Sequence, residues 1–355
     1  MRKRLMEYGI QIGMLERGRQ NSITDVPGVR VGHKTLVSNS PEVIRTGVTA
    51  IIPGDGDVYD APVRGACSVI NGFGKSIGLL QLEELGRIET PILLTNTLNT
   101  GLVSDALVEY TLSAHPACRS LNPVVGECND SRLNQIERRS VSAADVGEAL
   151  KAASGGPIQT GAVGSGTGMI CFGYKGGIGT ASRILNFDNT PFTIGALVLS
   201  NFGEAGDLTI KGRRIAPLVP GIPDDHLDGS IMIILGTDLP LSHRQLKRMS
   251  NRAAFGIART GGRCGHTSGE IVIAFSTANR VPRSTKTAFV ETRCLVENNN
   301  TMGPLFDGVI DCVEEAILDS LFTAESTTGK NGHTAHALPV EEMMKVYDLT
   351  SVTAR

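Results

Sequence analysis

Two apolar runs joined by one helix constrain the fold of this chain more than any other feature. Ile231-Met-Ile-Ile-Leu235 and Glu270-Ile-Val-Ile-Ala-Phe275 each have the length of a strand. The first, bounded by turn residues, reads as a strand buried on both faces. Between them Ser242 and Gln245 make a capping box, and Leu246, Met249, Ala253 and Ile257 line one face of a helix reaching Arg259. A strand-helix-strand crossover normally sets its strands parallel in one sheet. Parallel strands begin at the same end, so the residues just before each run share one rim. Ser230 precedes the first run, and His266-Thr-Ser-Gly-Glu270 leads into the second.

Strand and helix patterns alternate elsewhere too. Val48–Ile52, Ile92–Thr95 and Gly195–Ser200 read as strands. Leu102, Ala106, Leu107 and Tyr110 recur at helical spacing, Ala143–Ala153 reads as a short helix, and Leu305, Val309, Val313, Ala316 and Leu321 mark a long late one. Val340–Tyr347 is a last helix, with Thr327–Gly332 as the turn before it. No repeat or low-complexity linker divides the chain. The expectation is one layered α/β domain spanning residues 1–355.

Gly229-Ser230 closes an irregular acidic segment, Pro220–Asp228. A cut before Ser230 would make it a new N-terminus. Its hydroxyl would then share a residue with an α-amine of pKa about 8, a usable base beside a weak nucleophile. Ser268 and Glu270 fall at the same rim. Asn201 joins them if the strand Gly195–Ser200 runs antiparallel. Nucleophile, hydroxyl, carboxylate and amide donor are the parts of an acyl-transfer site. Singly, each has an ordinary reading as a turn residue or solvated strand end. Their joint placement raises the functional reading to equal standing with the ordinary one.

The remaining composition narrows the class. Basic and acidic residues number 34 and 36, which gives no nucleic-acid surface. No stretch is long enough to span a membrane, and no apolar segment follows the basic start Met-Arg-Lys-Arg, so neither a membrane anchor nor a signal peptide is expected. Seven cysteines without a Cys-x-x-Cys fit reduced thiols in the cytoplasm. His226 and His266 flank the site without a third ligand at metal spacing, so no metal or other cofactor is expected. Gly74-Lys-Ser76 lacks the earlier glycine of a phosphate loop, since Val69 stands there. Gly164-x-Gly166 has Met169 where a dinucleotide fingerprint needs its third glycine. The ten glycines between Gly155 and Gly179 read as close backbone packing near an active site or interface.

Several motifs, in order, carry a family resemblance. They are Asn21-Ser-Ile-Thr-Asp-Val-Pro-Gly-Val-Arg-Val-Gly-His33, Gly161–Gly168, Lys175–Thr180, Asp228-Gly-Ser-Ile-Met232 and His266-Thr-Ser-Gly-Glu270. The chain resembles the L-aminopeptidase/D-Ala-esterase/amidase and β-peptidyl aminopeptidase family of self-processing serine hydrolases. That resemblance implies a four-layer αββα sandwich, like N-terminal-nucleophile hydrolases but differently connected. It also implies self-cleavage at Gly229-Ser230 into residues 1–229 and 230–355, with Ser230 as nucleophile. Ser268 and Glu270 would surround the Ser230 hydroxyl and amine, Asn201 would donate to the oxyanion, and Glu127 would receive the substrate ammonium. Partners would be small peptides or amino-acid amides, and the assembly a homotetramer. The motif Glu127-Cys-Asn-Asp-Ser131 departs from the family, with Asn129 where a tyrosine often stands. That puts substrate preference in question. The rivals are nylon-oligomer hydrolases, which cut before Thr, and a catalytically silent binding protein of the same fold.

Overall fold

The computed structural model describes residues 2–218 and 229–350. In chain order the strands are β1 (Val29–Ser38), β2 (Ile44–Pro53), β3 (Val63–Gly72), β4 (Arg87–Ile88), β5 (Ile92–Asn96), β6 (Val124–Cys128), β7 (Ile170–Cys171), β8 (Tyr174–Lys175), β9 (Gly177–Phe187), β10 (Thr190–Asn201), β11 (Thr209–Ile210), β12 (Arg213–Arg214), β13 (Ser230–Thr237), β14 (Gly269–Ser276), β15 (Thr327–Thr328) and β16 (Thr334–Ala335). The helices are α1 (Leu79–Leu85), α2 (Thr100–Ala114), α3 (Ala143–Lys151), α4 (His243–Ser250), α5 (Ala253–Arg259), α6 (Asn299–Thr323) and α7 (Val340–Val346).

One sheet has the order β1-β2-β5-β6 and the other β4-β3-β14-β13-β10-β9. All eight residues of β13 are buried, as the apolar run requires. Its side chains alternate between two cores. Ile231, Ile233 and Leu235 join Leu246, Ile257, Val309 and Val313 of the helices α4, α5 and α6. Met232 and Ile234 instead meet Val31, Ile51 and Leu94 of the first sheet. On that sheet's far side, Val48, Ala50 and Leu93 pack against Val103 and Leu107 of α2 and Val146 of α3. Two helix layers therefore enclose two face-packed sheets, the αββα sandwich. At Gly179 of β9, a Cβ would lie 1.9 Å from the Ala316 carbonyl, so only glycine lets α6 approach this closely.

The crossover behaves as the sequence predicts: β13 and β14 are parallel, and β10 runs antiparallel to β13. The helix between them differs from the single one expected. It breaks between Ser250 and Ala253. Ser68 of β3 shares hydrogen bonds with the Ser250 hydroxyl at 2.5 Å and the Asn251 carboxamide at 2.7 Å. These side chains turn toward the sheet, and the Ser250 hydroxyl also returns to the Lys247 carbonyl at 2.9 Å, competing with the helical ladder.

Helix α6 carries buried carboxylates. Glu315 pairs with fully buried Arg183 at 2.5 Å and with Arg17 at 3.0 Å, and accepts from Asn21 at 2.8 Å. Replacing Glu315 by Gln should leave buried Arg183 without its ion-pair partner. The expected cost is about 3–5 kcal/mol in chemical denaturation. A shift below about 1 kcal/mol, the size of a surface pair, would show the network to be incidental.

Candidate active site

Strand register sets the geometry. Ser230 lies opposite Asn201 on one side and Gly269 on the other, so the end of β10 meets the starts of β13 and β14 at one rim. The Ser230 hydroxyl donates to the Gly229 carbonyl at 2.6 Å. The same oxygen accepts the Gly269 amide at 3.1 Å. The carbonyl before Ser230 is thus polarised by two donors while its carbon stands beside the serine oxygen.

Ser268 donates to Glu270 Oε1, and a Cβ built on Gly229 would lie 3.2 Å from the Ser268 oxygen. Glu270 is fully buried, and among the described residues its Oε2 has no hydrogen-bond partner. Burial pushes its pKa above the ordinary value, with the Ser268 hydrogen bond opposing. Beside Glu270 the register with β3 slips, a bulge that re-aims the strand at the site. Asn71, next to that bulge, donates to the carbonyls of Gly265 at 2.8 Å and His266 at 3.1 Å, and to that of Ser268. It holds the turn that presents Ser268.

Asn201 is buried and its carboxamide is fixed at both ends. Its Oδ1 accepts from the Ile170 amide and its Nδ2 donates to the Asn129 carbonyl, each at 2.9 Å. A backbone N–H can only donate and a carbonyl only accept, so the amide has one orientation. Asn129 serves here through its backbone. Its exposed side chain folds onto its own turn, accepting from the Ser131 amide at 2.9 Å.

Glu127 is buried at the end of β6, accepting from the Lys75 amide at 2.9 Å and from the Thr97 hydroxyl. The Gly74-Lys75-Ser76 turn, which fails as a phosphate loop, is here the cradle of a carboxylate. In front of Gly229, Ser268 and Glu270 lies a cleft of about 370 Å³, also lined by Phe202, Arg263 and His266. The Pro220–Asp228 segment, with His226, lies outside the described residues.

The glycine-rich stretch ends against this site. A Cβ on Gly168 would lie 2.7 Å from that of Asp130, and one on Gly166 2.6 Å from the Ile178 amide. Asn71, Lys75 and Thr97 escaped the sequence reading. Asn71, a turn residue closing a strand, and Lys75, inside the rejected Gly74-Lys-Ser76 motif, left the local signals.

Among the described residues no helix is long and apolar enough to cross a membrane. The layered sheets, with a serine opening a central strand, define the class as an N-terminal-nucleophile type of hydrolase fold. Residues 21–335 match the model of peptidase family S58, and the chain belongs to that family. It is 37% identical to the β-peptidyl aminopeptidase BapA of Sphingosinicella xenopeptidilytica, over 93% of this chain and 87% of that one. The crystal structure of the PH0078 protein from Pyrococcus horikoshii OT3 superposes with a TM-score of 0.92 at 44% identity, covering 98% of this chain and 99% of the other. The L-aminopeptidase D-Ala-esterase/amidase of Ochrobactrum anthropi, described as a variant of the Ntn hydrolase fold, superposes with a TM-score of 0.91 at 35% identity, covering 98% and 99%.

Proposed function

We propose that this peptidase is a self-cleaving serine aminopeptidase and amidase that removes N-terminal residues from small peptides, amides or esters. The observation that carries the proposal is the Ser230 hydroxyl held 2.6 Å from the oxygen of the carbonyl before it, under the Gly269 amide. In the uncut chain the Ser230 oxygen adds to the Gly229 carbonyl carbon. Its proton passes toward Ser268 and Glu270 and returns to the departing nitrogen as the C–N bond breaks. The acyl group is now an ester on Ser230, and water hydrolyses it. Fragments 1–229 and 230–355 result, the second beginning with a free amine.

In the mature enzyme the same oxygen attacks the substrate acyl carbon. The Ser230 amine, or a relay through Ser268, takes the proton and delivers it to the leaving group. Asn201 still has a second amide N–H to give the oxyanion, and a donor of this kind typically contributes about 100- to 1000-fold in rate. Glu127 receives the substrate ammonium, which restricts the enzyme to free N-termini. All seven cysteines are free, which supports a reducing, cytoplasmic setting. The homotetramer implied by the family resemblance is carried over as the proposed assembly.

Intact-mass spectrometry tests the cut, and two fragments divided at 229/230 are expected. The substrate test compares L-, D- and β-amino-acid p-nitroanilides with their N-acetylated forms. Free amines should be cleaved and acetylated ones refused. Glu127→Gln should raise KM for free amines by roughly 10- to 100-fold, the worth of a hydrogen bond to a charged group. Equal hydrolysis of acetylated substrates would defeat the aminopeptidase assignment.

A further inference from the structure

We propose that Lys175 is a positioning residue for the Asn201 carboxamide, acting through the peptide group between Met169 and Ile170. That role presupposes Asn201 as the oxyanion donor. Lys175 is completely buried on β8, which pairs with β7, Ile170 lying opposite Lys175. Its Nζ donates to the carbonyls of Gly166 at 2.9 Å, Met169 at 2.8 Å and Gly176 at 2.8 Å. Three carbonyl acceptors match the three protons of an ammonium, whereas a neutral amine would leave one carbonyl unserved. The Met169 carbonyl belongs to the same peptide group as the Ile170 N–H. That N–H donates to Asn201 Oδ1 at 2.9 Å.

The charge therefore acts on both ends of one peptide. It fixes the plane of the group, and by pulling on the carbonyl it strengthens the N–H that holds Asn201. Asn201 in turn spans to the Asn129 carbonyl, next to buried Asp130. Burial pushes the Lys175 pKa down to about 7, with Asp130 opposing, and pushes Asp130 itself up to about 7, so it is the cage of three carbonyl acceptors that favours the ammonium. A merely space-filling role would be met by an apolar side chain of the same length.

The test pairs Lys175→Met with Asn201→Ala, alone and together. Lys175→Met should lower kcat on a p-nitroanilide roughly 10- to 100-fold, a large part of an oxyanion donor's worth, with KM nearly unchanged. Self-cleavage should persist, because in the uncut chain the Gly229 carbonyl is served by the Gly269 amide. The double variant should be no slower than Asn201→Ala by itself, since both changes remove one function. Losses that multiply would overturn the proposal, as would wild-type kcat in Lys175→Met. If Lys175→Met does not fold, Lys175→Gln, which keeps donors without the charge, replaces it with the same expectations. Loss of self-cleavage in a soluble Lys175 variant would also overturn the proposal, because Lys175 would then support the whole site. A fully active Asn201→Ala would strike instead at the oxyanion assignment, and the role of Lys175 would fall with it.

Discussion

Ser230→Ala is expected to accumulate as one uncut chain and to release no p-nitroaniline from any substrate. The change removes a single oxygen from a buried strand position, so the fold should be intact by circular dichroism. Without that oxygen the Gly229 carbonyl keeps its hydrogen bond from the Gly269 amide but has no nucleophile beside it. Loss of a nucleophile in serine hydrolysis is on the order of a millionfold in kcat. Two bands on a denaturing gel, divided at the same bond, would mean that another group attacks that carbonyl. Retained turnover by an uncut chain would separate catalysis from processing.

Glu270→Gln is expected to slow both self-cleavage and turnover by roughly 100- to 10,000-fold, the range for a positioned proton acceptor. Its pH signature is more specific. Burial raises the folded-state pKa of Glu270 above the ordinary 4.5. The carboxylate accepts the Ser268 proton only when ionised, so self-cleavage should fail as pH drops through that raised value. The newly made chain is the right sample, because the Ser230 amine does not yet exist and cannot titrate. The midpoint should lie above 4.5, and the Gln variant should show no such limb. A midpoint at or below that value would remove Glu270 from the proton path. The sign also bears on stability. A carboxyl whose pKa is raised on folding favours the fold at low pH, and that contribution is lost as pH rises through the folded value. At neutral pH the Gln variant should therefore be the more stable and the less active protein.

Much of the candidate site's placement was legible because it is built from strand ends. Once Ile231–Leu235 and Glu270–Phe275 are parallel neighbours, Ser230 and His266–Glu270 share one rim, and the structure's register then sets Ser230 opposite Gly269. The antiparallel β10 then brings in Asn201. Apolar periodicity carries that logic without knowledge of distant contacts. The residues that hold the site in shape carry no such pattern. Asn71 acts across a bulge, Thr97 and Lys75 meet Glu127 from separate loops, and Lys175 works through another residue's peptide group. The helix break after Ser250 is of the same kind. Its cause, Ser68, is far away in sequence and local helix propensity is blind to it. Asn129 marks a further limit. Its residue type drew attention as a missing tyrosine, yet its structural contribution is a main-chain carbonyl that any residue would supply.

The order of the six-stranded sheet has a consequence for the processed protein. Strands β14 and β13 belong to residues 230–355, and they lie between β3 and β10 of residues 1–229. A nick at 229/230 would thus separate nothing. The two polypeptides would remain interlocked, each completing the other's hydrogen-bond ladder, and Arg183 would clasp Glu315 across the divide. Once dispersed in denaturant, however, they would have to find one another by diffusion. Renaturation of the nicked enzyme would become second-order in protein, and its melting temperature would rise with concentration. In the unbroken Ser230→Ala chain this fragment-joining step would be absent, leaving only whatever concentration dependence subunit assembly adds.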